Sequence, residues 1–111
     1  MKSYGMALDL KDNQEIRDKY IEYHRAVWPD VLAGLRGVGI TGMKIFLHGN
    51  RLFMYLEAED AFVPKRDFPR YMESGRAGEW DELMRTFQQP ISGAAAGDWW
   101  SEMEEVFDLN W

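Results

Sequence analysis

Ile40-Thr41-Gly42-Met43-Lys44-Ile45-Phe46-Leu47-His48-Gly49-Asn50-Arg51-Leu52-Phe53-Met54-Tyr55-Leu56-Glu57-Ala58-Glu59 reads as two strands, Ile40 to His48 and Arg51 to Glu59, joined by a tight turn. Gly49-Asn50 supplies the turn, since these residues tolerate the backbone angles that close a short hairpin. Upstream, Tyr4, Met6, Leu8 and Leu10 alternate with Gly5, Ala7 and Asp9, the period of two that marks a strand. Asp12 or Asn13 can cap a following helix, and Glu15 suits its first turn. Ile16, Tyr20, Tyr23 or His24, Val27 and Val31 recur at three- and four-residue spacing, which predicts that helix. Pro29 removes a backbone donor, so a kink or a restart is expected near Trp28. Gly34, Gly37 and Gly39 are expected to end the helical stretch.

Downstream of the hairpin, a polar connection runs through Pro64 and Pro69. A helical stretch is predicted from about Tyr71 to Phe87, with Gly75 or Gly78 as the place for a break. The small-residue run from Pro90 to Gly97 reads as a loop. A last strand is predicted from Trp99 to Leu109, with Met103, Glu105, Phe107 and Leu109 on one face.

The resulting order is β-α-β-β-α-β, the ferredoxin-like α+β pattern: an antiparallel sheet with helices on one face, in one domain spanning residues 1–111. Such a sheet leaves its second face uncovered. Phe46, Phe53 and Tyr55 are expected on or near that face, which predicts burial by a second copy and a homodimer.

Composition narrows the function classes. Hydrophobic residues make up 46% and charged residues 29%, a balance that favours a folded chain over a disordered one. No run is long enough to span a bilayer, and no basic-then-apolar leader follows Met1. A cytoplasmic protein without a membrane partner is therefore expected. The net charge of −6 argues against a nucleic-acid partner, which would call for clustered Lys and Arg. Cysteine is absent, so disulfides and thiolate catalysis are excluded. Five Trp, five Tyr and six Phe suit a core and a subunit interface, or a wall that stacks on the C–H faces of a sugar.

Only two histidines are present. His48 lies beside the hairpin turn and reads as surface. His24 follows Tyr20 by four residues, so both project from one helix face, and Trp28 continues it. An imidazole exchanges protons near neutral pH, and a phenol one turn away can hold or protonate a hydroxyl. The same spacing also suits ordinary packing of Tyr20 and His24 in the core. Glu57, Glu59, Glu102, Glu104 and Glu105 read as solvated edges. Two distant His and no Cys offer no metal-ligand cluster, and no glycine-rich phosphate loop opens a helix, so no metal or cofactor is expected.

Tyr20-Ile-Glu-Tyr-His24-Arg-Ala-Val-Trp28-Pro29-Asp30-Val-Leu32 resembles the Y-x-x-x-H-x-x-x-W-P-E/D-L motif of the L-rhamnose mutarotase family, which also includes L-fucose mutarotases. Ile45-Phe46-Leu47, Leu52-Phe53-Met54 and Glu57 resemble its paired central strands. Trp80-Asp-Glu-Leu-Met84 resembles its second helix, and Met103-Glu-Glu-Val-Phe-Asp-Leu109 its closing strand. The similarity runs in order along nearly the whole chain. It implies a dimeric ferredoxin-like α/β barrel. It also implies His24 as the acid/base group, Tyr20 as a substrate-contacting tyrosine, and Trp80 as the first of two tryptophans on the sugar. Asp81 stands where the family has the second tryptophan, and Met43 where it has a further tyrosine. These departures change the pocket wall and point to L-fucose rather than L-rhamnose.

The implied activity is mutarotation of a 6-deoxy-hexose, a small-molecule sugar substrate whose anomers interconvert by acid/base ring opening and closure. Trp28, Trp80 and one of Trp99 or Trp100 are then candidates to line the sugar. Two other readings fit the aromatic content: a small dimeric cofactor-independent monooxygenase-like enzyme, and a non-catalytic ligand-binding or assembly module.

Overall fold

In the computed structural model, which describes residues 1–111, the sheet is built around β1 (Lys2–Leu10). β2 (Ile40–His48) and β3 (Arg51–Ala58) form the expected hairpin, with Gly49 at φ +60° in the turn. β3 pairs antiparallel with the whole of β1, from Lys2 opposite Ala58 to Asp9 opposite Arg51. The other edge of β1 is shared. β4 (Gln88–Gln89) takes Asp9 and Leu10, and β5 (Ser101–Met103) takes Gly5 to Ala7. The strand order is β2-β3-β1-β4, with β5 also on β1 and every pair antiparallel.

The period of two sets which side chains meet the helices. Leu52, Met54, Leu56 and Ala58 of β3 are buried, beside Met6, Leu8 and Leu10 of β1. Phe53 and Tyr55 point to the opposite face, where Phe46 of β2 stacks on Phe53 at a ring separation of 6.2 Å. That face carries no helix. Phe46 and Phe53 are exposed there, as the alternation requires.

Four helices cover the other face. α1 (Gln14–His24) starts at Asn13, whose side chain accepts from the backbone N–H groups of Glu15 and Ile16 at 2.9 and 3.2 Å. Pro29 produces a restart rather than a kink: α1 stops, and α2 (Pro29–Gly37) begins with proline in its first turn, where the missing donor costs nothing. Gly34 lies inside α2 and does not end it. Its role is close approach, since a Cβ there would sit 2.5 Å from the Tyr71 carbonyl oxygen. α3 (Pro64–Asp67) and a 3₁₀ segment (Phe68–Glu73) follow β3, and α4 (Ala77–Arg85) completes the layer. The helical stretch expected from about Tyr71 to Phe87, with a break at Gly75 or Gly78, is broken at Gly75 (φ +47°). Asp30 of α2 reaches across the break and accepts the Arg76 N–H at 2.7 Å.

The predicted last strand, Trp99 to Leu109, shortens to Ser101–Met103. Met103 already faces Gly5, so only the first residues of β1 lie beyond it. A strand continuing to Leu109 would outrun its partner. Val106, Phe107, Leu109 and Trp111 are instead exposed, by 78, 70, 84 and 76%. No helix is long and apolar enough to cross a membrane.

Candidate active site

A cavity of about 420 Å³ opens between the helices and the inner face of β2 and β3. α1 contributes Tyr20 and His24, β2 contributes Met43, and α4 contributes Trp80 and Asp81. Phe68 and Tyr71 from the 3₁₀ segment, Gln88 of β4 and Trp100 add to the wall. Arg36 and Thr41 reach the cavity from exposed positions. The volume lies within the usual range of a small-molecule site.

The helix spacing of Tyr20 and His24 has a direct geometric result. Their rings stack with centroids 4.1 Å apart. One turn along α1, His24 Nδ1 lies 2.8 Å from the Tyr20 carbonyl oxygen. A carbonyl only accepts, so Nδ1 carries the proton and donates. In the neutral ring Nε2 is then the basic nitrogen. It has no protein hydrogen-bond partner and is not buried without one, so it is available from the cavity. Burial pushes the imidazole below its ordinary value of 6.5, against a smaller opposing effect of the carbonyl. The ring is therefore neutral near pH 7 and suited to accept a proton.

Tyr20 is buried, and burial raises its phenol to about 12; the Gln88 hydrogen bond works the other way. Gln88 Nε2 donates to the Tyr20 hydroxyl over 3.5 Å, and its Oε1 accepts from Trp99 Nε1 at 2.9 Å. Asp81 accepts from the Tyr71 hydroxyl at 2.7 Å through Oδ1 and from Arg85 Nε at 2.7 Å through Oδ2. Burial first, then the Asp81 carboxylate, hold the Tyr71 phenol well above its ordinary value.

Most of the residues singled out from the sequence meet at this cavity: Tyr20, His24, Met43, Trp80, Asp81 and Trp100 all line it. Trp80 presents little surface, being 4% exposed, and its indole meets the His24 ring edge-on at 5.4 Å. Two candidates lie elsewhere. Trp28 backs Trp80 at 5.3 Å with Arg76 over its outer face, and Trp99 points away to Gln88 and Arg85. His48 is exposed at the hairpin end. Sequence reading missed Tyr71, Gln88 and Arg36. Gln88 alone carried a signal, as a polar side chain held buried beside Phe87, and that signal becomes readable only once β4 is placed.

The chain is similar to known proteins along nearly its whole length. The sequence matches the family model described as L-rhamnose mutarotase over residues 3–109. It is 50% identical over 114 residues to a UPF0734 protein of Dictyostelium discoideum, covering 99% of this chain and 91% of that one. It is 34% identical over 112 residues to an L-fucose mutarotase of Xanthomonas campestris pv. campestris, covering 99% and 90%. Among solved structures, the L-rhamnose mutarotase of Formosa agariphila superposes with a TM-score of 0.69 at 19% identity, over 98% of this chain and 99% of that one. That likeness supports the fold, while the match along nearly the whole sequence settles the kinship: this chain belongs to the L-rhamnose mutarotase family.

Proposed function

We propose that the chain is a sugar mutarotase that interconverts the α and β anomers of a 6-deoxy-hexose, with His24 as the proton-accepting group. The observation that carries this reading is the tautomer of His24. Its Nδ1–H is tied to the Tyr20 carbonyl, and its basic Nε2 is open to the cavity. In ring opening, Nε2 takes the proton of the anomeric hydroxyl, a C=O bond forms at C1, and the C1–O5 electron pair moves to the ring oxygen. O5 takes the Tyr20 proton, leaving a phenolate beside the new imidazolium. The Gln88 amide donor lowers the cost of that phenolate. The aldehyde rotates about C1–C2. The C5 hydroxyl then attacks C1 and returns its proton to Tyr20 as His24 protonates the aldehyde oxygen. Protons and electrons balance over the cycle, and each positioned group is worth roughly 10²–10⁴-fold.

L-Fucose is the favoured substrate. The relative named L-fucose mutarotase is 34% identical, whereas one named L-rhamnose mutarotase, from Oceanobacillus iheyensis, is 25% identical. Asp81 and Met43 on the cavity wall are the departures that motivate the same choice. Our reading further takes residues 1–111 as one domain, cytoplasmic and homodimeric, needing no metal. Saturation-transfer NMR on the anomeric protons of L-fucose, L-rhamnose and D-galactose tests it. Protein-dependent exchange, fastest with L-fucose, is the expected result. Faster exchange with L-rhamnose would reverse the substrate choice, and no exchange with any of the three would overturn the activity.

A further inference from the structure

Arg85 does not line the cavity. It lies behind Asp81, in an adjoining cleft that also includes Trp99 and Trp100. One turn along α4, its Nε donates to Asp81 Oδ2 at 2.7 Å, while its guanidinium carbon lies over the Trp99 ring, 4.8 Å from the centroid. Trp99 in turn donates to Gln88, and Gln88 donates to the Tyr20 hydroxyl. A single exposed-side cation therefore ends two chains of contacts that both lead into the cavity.

We propose that Arg85, braced on the Trp99 ring, is a positioning residue for sugar recognition: it fixes the Asp81 carboxylate on the cavity wall. The proposal rests on the mutarotase reading and goes beyond it. An ionised Asp81 can only accept hydrogen bonds. The Tyr71 proton is committed to Asp81 Oδ1, so the phenol oxygen also meets the cavity as an acceptor. Together they form an acceptor-only patch that requires a donor hydroxyl from the sugar. A substrate lacking that hydroxyl leaves the acceptors unpaired, which is how such a site discriminates. Asp81 presents this patch only while its rotamer is held, and Arg85 holds it from the side away from the cavity. The guanidinium of arginine serves both contacts at once, donating through Nε to Asp81 while its carbon lies over the Trp99 ring. Lysine keeps the first and loses the second.

The test uses the full-length protein, exchange kinetics by NMR against L-fucose concentration, and circular dichroism as the check on folding. Arg85→Met is expected to raise KM about tenfold while kcat stays within about threefold, the loss of one charge-assisted contact in binding. Arg85→Lys is expected to fall between Arg85→Met and wild type. Arg76→Met is the control. It removes an equivalent pair, Nε to Glu79 at 2.6 Å and a guanidinium over Trp28 at 4.8 Å, at a place that does not face the cavity. Its KM and kcat should match wild type. Wild-type KM in either folded Arg85 variant overturns the proposal, as does an equal loss in the Arg85 and Arg76 variants. Should Arg85→Met fail to fold, the KM of Arg85→Lys decides. Exchange in wild type with unchanged KM in the variants sinks this inference alone, whereas no exchange in wild type sinks the functional reading first.

Discussion

At the scale of single residues, His24 carries the sharpest expectation. His24→Ala should cut anomer exchange by about 10²-fold or more, the usual range for a positioned acid/base group. Tyr20→Phe should fall between that variant and wild type, since it keeps the stacked ring and loses only the hydroxyl. His48→Ala should change little, because His48 is exposed at the far end of the hairpin. Full activity in a folded His24→Ala protein would remove the centre of the mechanism. The pH dependence has a definite sign. Burial lowers the His24 pKa below 6.5, so the neutral base persists into mildly acidic solution. Exchange should hold from pH 7 downward past 6.5 and decline only as the folded-state value is crossed; a midpoint above 6.5 would contradict the burial argument. Stability follows the same group. Between 6.5 and the lower folded value the unfolded chain binds more protons than the folded one, so stability falls as the pH is lowered across that window and levels off below it. Denaturation of wild type and His24→Ala at several pH values should show the difference between them changing only there. Tyr20 and His24 were legible because four-residue spacing fixes their relation within one helix. Gln88 was not, since its contact with Tyr20 spans 68 positions, and Trp99 and Trp100 were read as the start of a strand that begins only at Ser101.

At the scale of elements, the hairpin, α1 and the Pro29 restart follow from local rules: a turn glycine, an Asn cap, a proline in a first turn. The two misreadings share a different cause. Met103, Glu105, Phe107 and Leu109 do alternate, yet alternation marks a two-sided strand only where a partner exists, and in this register β1 has no residue left to pair with Phe107 to Leu109. Gly34 looked like a stop signal, yet its purpose lies in another element: α2 touches the 3₁₀ backbone there, with Tyr71 O 2.5 Å and Ser74 Cβ 2.9 Å from where a Cβ would stand. Gly34→Ala should therefore push α2 away from the segment that carries Tyr71 and destabilise the fold by about 1–3 kcal/mol, the usual cost of overpacking. Gly37→Ala, where nothing lies within 4 Å, should be far milder in the same helix. Chemical denaturation of the two variants decides the matter, and equal effects would show that helix propensity rather than close approach governs Gly34.

At the scale of the whole molecule, two apolar surfaces are left over on one chain. The outer sheet face presents Phe46, 55% exposed, stacked on Phe53, with Met103 from β5 also exposed. The segment after Met103 presents Val106, Phe107, Leu109 and Trp111. An exposed apolar area of this kind is unusual on a soluble monomer and marks an interaction site. A second copy is the simplest occupant, because a two-fold axis sets the same face against itself and covers both copies at once. The charges allow it: Lys44 and Glu57 lie on this face with no ion-pair partner within the chain, so opposite signs are available to pair across the axis. Light scattering at micromolar concentration should therefore report a dimer. Phe46→Asp places a charge in the middle of the face without touching the helix side, so it should shift the protein towards monomer while the cavity and the His24 tautomer are kept. Removal of residues 104–111 should weaken the dimer only if the tail also packs on the partner. A wild-type protein that is monomeric at that concentration, or a Phe46→Asp protein that dimerises as tightly as wild type, would rule out the sheet face as the interface.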